Sequence, residues 1–275
     1  MKLFPALILS IFLSLSSIYG QNSKAAEIYN NALELQNNGR LDEALAGYDK
    51  AIMLNPQMID ALNNRANIKL ERGDFNGAIA DYNRVIEINP KAGMSYFNRG
   101  VVYSQLEKYD EAIADFTKTI EIIPNFAMAY NNRGNVRQTK KDYKGAIADY
   151  DRAIELFPNL FEPFYNRGVA KQIIEDYTGA ITDLSKALQI QPENPNVYLS
   201  RAMAYEEKDK NAAIADYSKT IELDPSQAQP YARRGLILLT QKKKTEARRD
   251  LEKAIQLDKS LKSAYDEFLQ EAQKP

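Results

Sequence analysis

Five prolines, Pro56, Pro90, Pro124, Pro158 and Pro192, stand 34 residues apart; Pro225 follows after 33, and Lys259 holds the next slot. A fixed interval of this length constrains a chain to build one supersecondary unit repeatedly, because a single unit can bury its apolar face only against a neighbour. Counting the proline as position 32 gives seven repeats: 25–58, 59–92, 93–126, 127–160, 161–194, 195–227 and 228–261. The sixth is one residue short, most simply in its Lys208-Asp209-Lys210 turn.

The slots within each repeat specify its shape. Position 20 is Ala in all seven (Ala44, Ala78, Ala112, Ala146, Ala180, Ala213, Ala247), and position 8 is always Ala or Gly, so two backbones must cross closely there. Bulky residues hold position 24 (Tyr48, Tyr82, Phe116, Tyr150, Leu184, Tyr217, Leu251) and position 4, which is mostly Tyr. Apolar slots at 4, 8 and 11 or 12, then at 20, 21, 24 and 28, follow the three-and-four spacing of two amphipathic helices. Turn residues fall near positions 14–16, and the position-32 prolines stop the second helix because proline breaks its hydrogen-bond ladder. The repeat is a helix–turn–helix.

A small residue at 8, Ala at 20, an aromatic at 24 and Pro at 32 in a 34-residue helix pair resembles the tetratricopeptide repeat. The resemblance implies an all-α, right-handed α-solenoid over residues 21–261, with 262–275 as a C-terminal capping helix over the last repeat. It departs from the family's pattern in carrying mostly Tyr at position 4 and an aromatic at position 11 only in Tyr103 and Tyr205.

Residues 1–20 read differently: Met1 and Lys2 make a positive start, Leu3 to Leu13 is largely apolar, and small polar residues follow. This is the pattern of a secretory signal, cleaved near Gly20. Four serines interrupt the apolar run, so a spanning anchor is the weaker reading. Export without a single Cys suits a bacterial periplasm or cell exterior. The absence of Cys and His also excludes thiolate chemistry, imidazole bases and the usual transition-metal ligands; a carboxylate-based glycosidase survives that exclusion as the weakest reading, since no unique acidic pair interrupts the repeats, and no catalytic residue, metal or cofactor is expected. With 36 basic and 37 acidic residues there is no broad positive footprint, and nucleic acid is not the expected partner.

Two polar recurrences remain. Position 7 is Arg65, Arg99, Arg133, Arg167, Arg201 and Arg234, while position 23 is Asp81, Asp115, Asp149, Asp183, Asp216 and Asp250; the first repeat has Asn31 and Gly47 instead. Pairing with a neighbouring repeat in either direction leaves one Arg and one Asp unmatched, whereas same-repeat pairing leaves none. Position 6 is Asn30, Asn64, Asn98, Asn132 and Asn166, on a flank directed away from the core. In the resembled family this flank lines a concave groove for peptide ligands, and an amide presents both donor and acceptor to an extended backbone.

Position 5 alternates between Tyr29, Phe97 or Tyr165 and Asn63 or Asn131, the latter two joined at position 9 by Asn67 and Asn135. Greasy and amide rungs are therefore expected along the groove. The carboxylate clamp known in the family needs Lys and Arg, but the nearest window offers Asn63, Asn67, Asn98, Met128 and Asn132, without a cation. The expected function is a non-catalytic scaffold of the bacterial cell envelope that binds an extended peptide or protein segment. The alternative is an envelope glycan-binding module using the same aromatic and amide rungs. Lys242, Lys243, Lys244, Arg248, Arg249 and Lys253 form a local basic cluster, expected to be solvated.

Overall fold

The computed structural model describes the backbone from Phe4 to Gln273 and side chains from Gly20 to Ala272; the expected leader, 1–20, otherwise lies outside the described side chains. All regular structure among the described residues is helical. The chain divides into two compact units, residues 1–125 and 126–275. The first holds three helix pairs: α1 (Phe4–Asn37) with α2 (Leu41–Leu54), α3 (Ile59–Glu71) with α4 (Phe75–Ile88), and α5 (Gly93–Gln105) with α6 (Tyr109–Ile122). The second holds four pairs: α7 (Ala127–Thr139) with α8 (Tyr143–Leu156), α9 (Phe161–Ile173) with α10 (Tyr177–Ile190), α11 (Pro195–Tyr205) with α12 (Lys210–Leu223), and α13 (Ala228–Thr240) with α14 (Lys244–Leu257). A short 3-10 turn, Lys259–Leu261, leads into α15 (Lys262–Gln273), which packs on α14. No helix among the described residues is long and apolar enough to cross a membrane.

Each pair is closed by the small slots. A methyl group added at Gly134 would stand 2.7 Å from the Tyr150 ring, and one at Gly100 2.9 Å from the Phe116 ring. The aromatic of the second helix therefore lies directly on the first helix's backbone, which explains why position 8 tolerates nothing beyond Ala. Tyr48, Tyr82, Phe116, Tyr150 and Tyr217 are among the largest fully buried side chains. The next repeat's position 10 covers the other side of these residues: Ile68 joins Tyr48, Val102 joins Tyr82, Ala170 joins Tyr150 and Ile237 joins Tyr217 in continuous clusters. Position 10, rather than 11, is thus the slot that welds successive pairs together.

Turns and caps follow from local chemistry. Position 15 is left-handed in six repeats, at Gly39, Gly73, Glu107, Lys141, Glu175 and Lys242. The sixth repeat has no such residue, so its missing residue is the left-handed one. Asp74, Asp142 and Asp176 cap the second helices by accepting from the N–H of Gly77, Gly145 and Gly179. A Cβ at Gly77, Gly145 or Gly179 would fall 2.1–2.2 Å from the capping carboxylate as it is placed, whereas Asp209 adopts a different backbone at the same cap and accepts from Ala212.

Candidate functional site

Six Arg–Asp pairs form within their own repeats. Arg65, Arg99, Arg133, Arg167, Arg201 and Arg234 each direct Nε and Nη2 at the two oxygens of Asp81, Asp115, Asp149, Asp183, Asp216 and Asp250 respectively. The two-pronged geometry matches a planar guanidinium to a planar carboxylate. The third nitrogen reaches back to position 25 of the preceding repeat, donating to Asp49 from Arg65, Asn83 from Arg99, Asp151 from Arg167, Ser185 from Arg201 and Ser218 from Arg234. Position 4 completes the arrangement, since Arg99, Arg133, Arg167, Arg201 and Arg234 lie over Tyr96, Tyr130, Phe164, Tyr198 and Tyr231. These arginines are therefore structural staples.

The amide flank is also a network. In the first unit Tyr82 donates its hydroxyl to Asn67 Oδ1 at 2.6 Å, and Asn98 Nδ2 donates to the same oxygen at 3.2 Å. In the second unit Tyr150 donates to Asn135 Oδ1 at 2.8 Å, and Asn166 Nδ2 donates to that oxygen at 2.8 Å. The rule is one oxygen at position 9 shared by the tyrosine of its own repeat and the amide of the next. Asn64 lacks such a partner because position 9 of the first repeat is Leu33; its Nδ2 donates instead to the hydroxyls of Tyr29 and Tyr48 at 3.2 and 3.4 Å. Asn63 accepts from Ser95 Oγ at 2.8 Å, Asn131 donates to Asn132 Oδ1 at 3.4 Å, and Asn30 is exposed. Burial pushes the Tyr82 and Tyr150 hydroxyls well above the usual phenol range, so both remain hydrogen-bond donors.

These bonds consume one group of each amide and leave others facing water. Asn67 Nδ2 and Asn98 Oδ1 have no protein partner among the described residues, and the same holds for Asn135 Nδ2 and Asn166 Oδ1. Each unit thus presents one amide rung with a donor and an acceptor side by side.

The aromatic rungs differ from expectation. Phe97, expected on the free face, is buried at 7% exposure and packs against Phe116 with ring centroids 5.7 Å apart. The correction has a simple cause: position 5 sits at the border of the core stripe, and a ring large enough to reach inward gains more from burial than from water. Tyr29 is half-buried on Tyr48, and Tyr165 is stacked on Phe161 at 5.7 Å.

Sequence reasoning missed a polar cluster in the second unit. Glu206 accepts from the Tyr217 hydroxyl and pairs with Arg233 at 3.0 Å. Two breaks in pattern signal it: Arg233 interrupts the position-6 amides, and Glu206 stands where Gln36 and Gln138 serve the tyrosines of their own repeats.

Sequence profiles described as tetratricopeptide repeat or TPR repeat match residues 66–107, 94–126, 127–160, 174–209 and 228–261. Among solved structures, the chain is similar to the C-terminal part of a TPR repeat-containing protein from Cytophaga hutchinsonii, at 19% identity and a TM-score of 0.74, covering 90% of this chain and 100% of that one. It is also similar to a tetratricopeptide repeat protein from Parabacteroides merdae, at 22% identity and a TM-score of 0.64 over 92% of this chain and 100% of that one. A third neighbour, YrrB, described as a TPR protein with an unusual peptide-binding site, has 23% identity and a TM-score of 0.59 over 64% of this chain and 92% of its own. No curated protein shows significant similarity to the chain. Helix pairs closed by Ala and Gly at the crossing, tyrosines seated on them, and profile matches over the greater part of the sequence place the chain in the tetratricopeptide repeat family.

Proposed function

We propose that this protein is an exported, non-catalytic scaffold of a bacterial cell envelope that holds an extended peptide or protein segment along its first helices. The observation that carries the reading is the pair of amide rungs, Asn67 with Asn98 and Asn135 with Asn166, each with a donor and an acceptor unused by the fold. Extended backbones carry alternating donors and acceptors, so such rungs bind chain without demanding a particular sequence. A neighbour described as having a peptide-binding site supports the same use of the fold. Export rests on the positive start and apolar run of residues 1–20. The glycan-binding alternative draws less support, because Phe97 is buried and Tyr165 already stacks one face on Phe161.

The test has two arms. Protein recovered from the envelope fraction should begin at or soon after Gln21, and a recovered Met1 on a cytoplasmic chain refutes export. A partner crosslinked to that protein should then be titrated against wild type and Asn98→Ala/Asn166→Ala. Each lost hydrogen bond should weaken binding by about 0.5–1.5 kcal/mol with helicity unchanged, whereas undiminished affinity places the site elsewhere.

A further inference from the structure

The sixth and seventh repeats replace the position-6 amide by Ser200 and Arg233, and together with the fifth they line a cleft. It has a volume of about 390 Å³ and is lined by Val169, Ile173, Tyr177, Met203, Glu206 and Glu207, with Arg233 at one side. Ile173 is the anomaly. Position 13 is polar in every other repeat (Asn37, Glu71, Gln105, Thr139, Glu207, Thr240), yet here an isoleucine is 48% exposed beside Ile174 at 43%. Ile173 therefore gives the cleft an exposed aliphatic surface that no other repeat has at this slot. Val169 and Met203, both half-buried, extend the apolar floor, and the unbranched thioether of Met203 adapts to different shapes.

The rim is acidic and unbalanced. Arg233 is committed to Glu206, whose other oxygen is taken by the Tyr217 hydroxyl. Glu175 and Glu207 have no ion-pair partner among the described residues. Glu207 lines the cleft itself, and the hydroxyl of Tyr177, another lining residue, is raised above the usual phenol range first by burial and then by Glu175 and Glu207. An apolar floor next to uncompensated negative charge is complementary to an aliphatic side chain next to a positive one.

We propose that this cleft is the specificity pocket of the groove and takes an aliphatic side chain of an extended peptide that is followed by Lys or Arg. The proposal rests on the peptide-binding reading above and adds to it the chemistry of the bound segment. The aliphatic group lies on Ile173 and Met203, and the cation faces Glu207.

The experiment titrates fluorescent peptides of a Gly-Ser background, carrying a central Leu-Lys, Leu-Arg, Leu-Glu or Ser-Lys pair, against the full chain at low and high salt. A set of random-sequence peptides is included. Leu-Lys and Leu-Arg should bind about fivefold or more tighter than Leu-Glu, and the difference should shrink as salt rises. Ile173→Asp should erase the advantage of Leu-Lys over Ser-Lys. Glu207→Lys should invert the order so that Leu-Glu leads, and both sites are exposed enough for thermal melting to stay unchanged. Equal binding of Leu-Lys and Leu-Glu, or a preference that survives both substitutions, overturns the proposal. If random peptides bind without any Leu-Lys preference, the pocket fails while the groove reading stands; if no peptide binds and the crosslinked partner ignores Asn98 and Asn166, both fail.

Discussion

Replacing Arg99 by Ala should destabilise the chain by about 3–5 kcal/mol, because it strands a buried carboxylate. The Asp115 side chain is 7% exposed and that of Arg99 17%, and they meet through two hydrogen bonds of 2.7 and 2.6 Å. Repeat three has Tyr103 where repeats two, four and five carry a second cation, Lys69, Arg137 and Lys171, so nothing replaces the lost guanidinium. Asp115→Ala should cost less, about 1–3 kcal/mol, since Arg99 keeps its bond to Asn83 and a route to water. The double variant should fall well short of the sum, giving a coupling energy of about 2–3 kcal/mol. Acid provides an independent check. Burial, outweighing Arg99, raises the Asp115 carboxyl above its ordinary range. A carboxyl raised in the folded state favours folding at low pH, and that contribution is lost as pH rises through its titration. Without Arg99 the raising is stronger, so the stability gap between Arg99→Ala and wild type should narrow as pH falls toward the carboxylate range. Urea denaturation by circular dichroism, with hydrogen exchange of the α5 and α6 amides as a local reading, measures both effects, because solenoid stability is a sum of neighbour terms. Single costs that add to within about 0.5 kcal/mol, or a gap that widens in acid, refute the reasoning.

Arg65→Ala should be milder than Arg99→Ala by about 1 kcal/mol or more in the same urea experiment, because Lys69 remains 2.8 Å from Asp81. Lys141→Gly should raise the unfolding midpoint by the equivalent of about 1 kcal/mol, since Lys141 sits at φ 65°; Gly73→Ala, at φ 78°, should lower it comparably. Phe97→Ala should cost about 3–5 kcal/mol in the denaturation curve, the behaviour of a core ring and not of a ligand-facing one.

The interval of 34, the small residues at 8 and 20 and the aromatics at 24 are legible because they concern one helix hairpin, whose two strands of contacts are fixed by sequence spacing alone. The Arg–Asp pairs belong to the same class: their partners lie 16 residues apart, or 15 in the shortened sixth repeat, the distance across one turn. What joins one repeat to the next is different. The bonds from Asn98 to Asn67 and from Asn166 to Asn135 span 31 residues, and no single repeat specifies the rotation that brings those groups together. Only the stacked helices show that position 9 serves a tyrosine behind it and an amide ahead of it. They also show that each Tyr at position 24 finds an acceptor in its own repeat: Gln36 for Tyr48, Asn67 for Tyr82, Asn135 for Tyr150 and Glu206 for Tyr217. A buried hydroxyl must have a partner, and that demand is met across a packed interface. Phe97 follows the same logic in reverse. Its sequence position is on the border between core and groove, and the space beside Phe116 decided that it turned inward. The cleft around Ile173 and Met203 likewise exists only once α9, α11 and α13 lie side by side, because its floor and its charged rim come from three separate repeats.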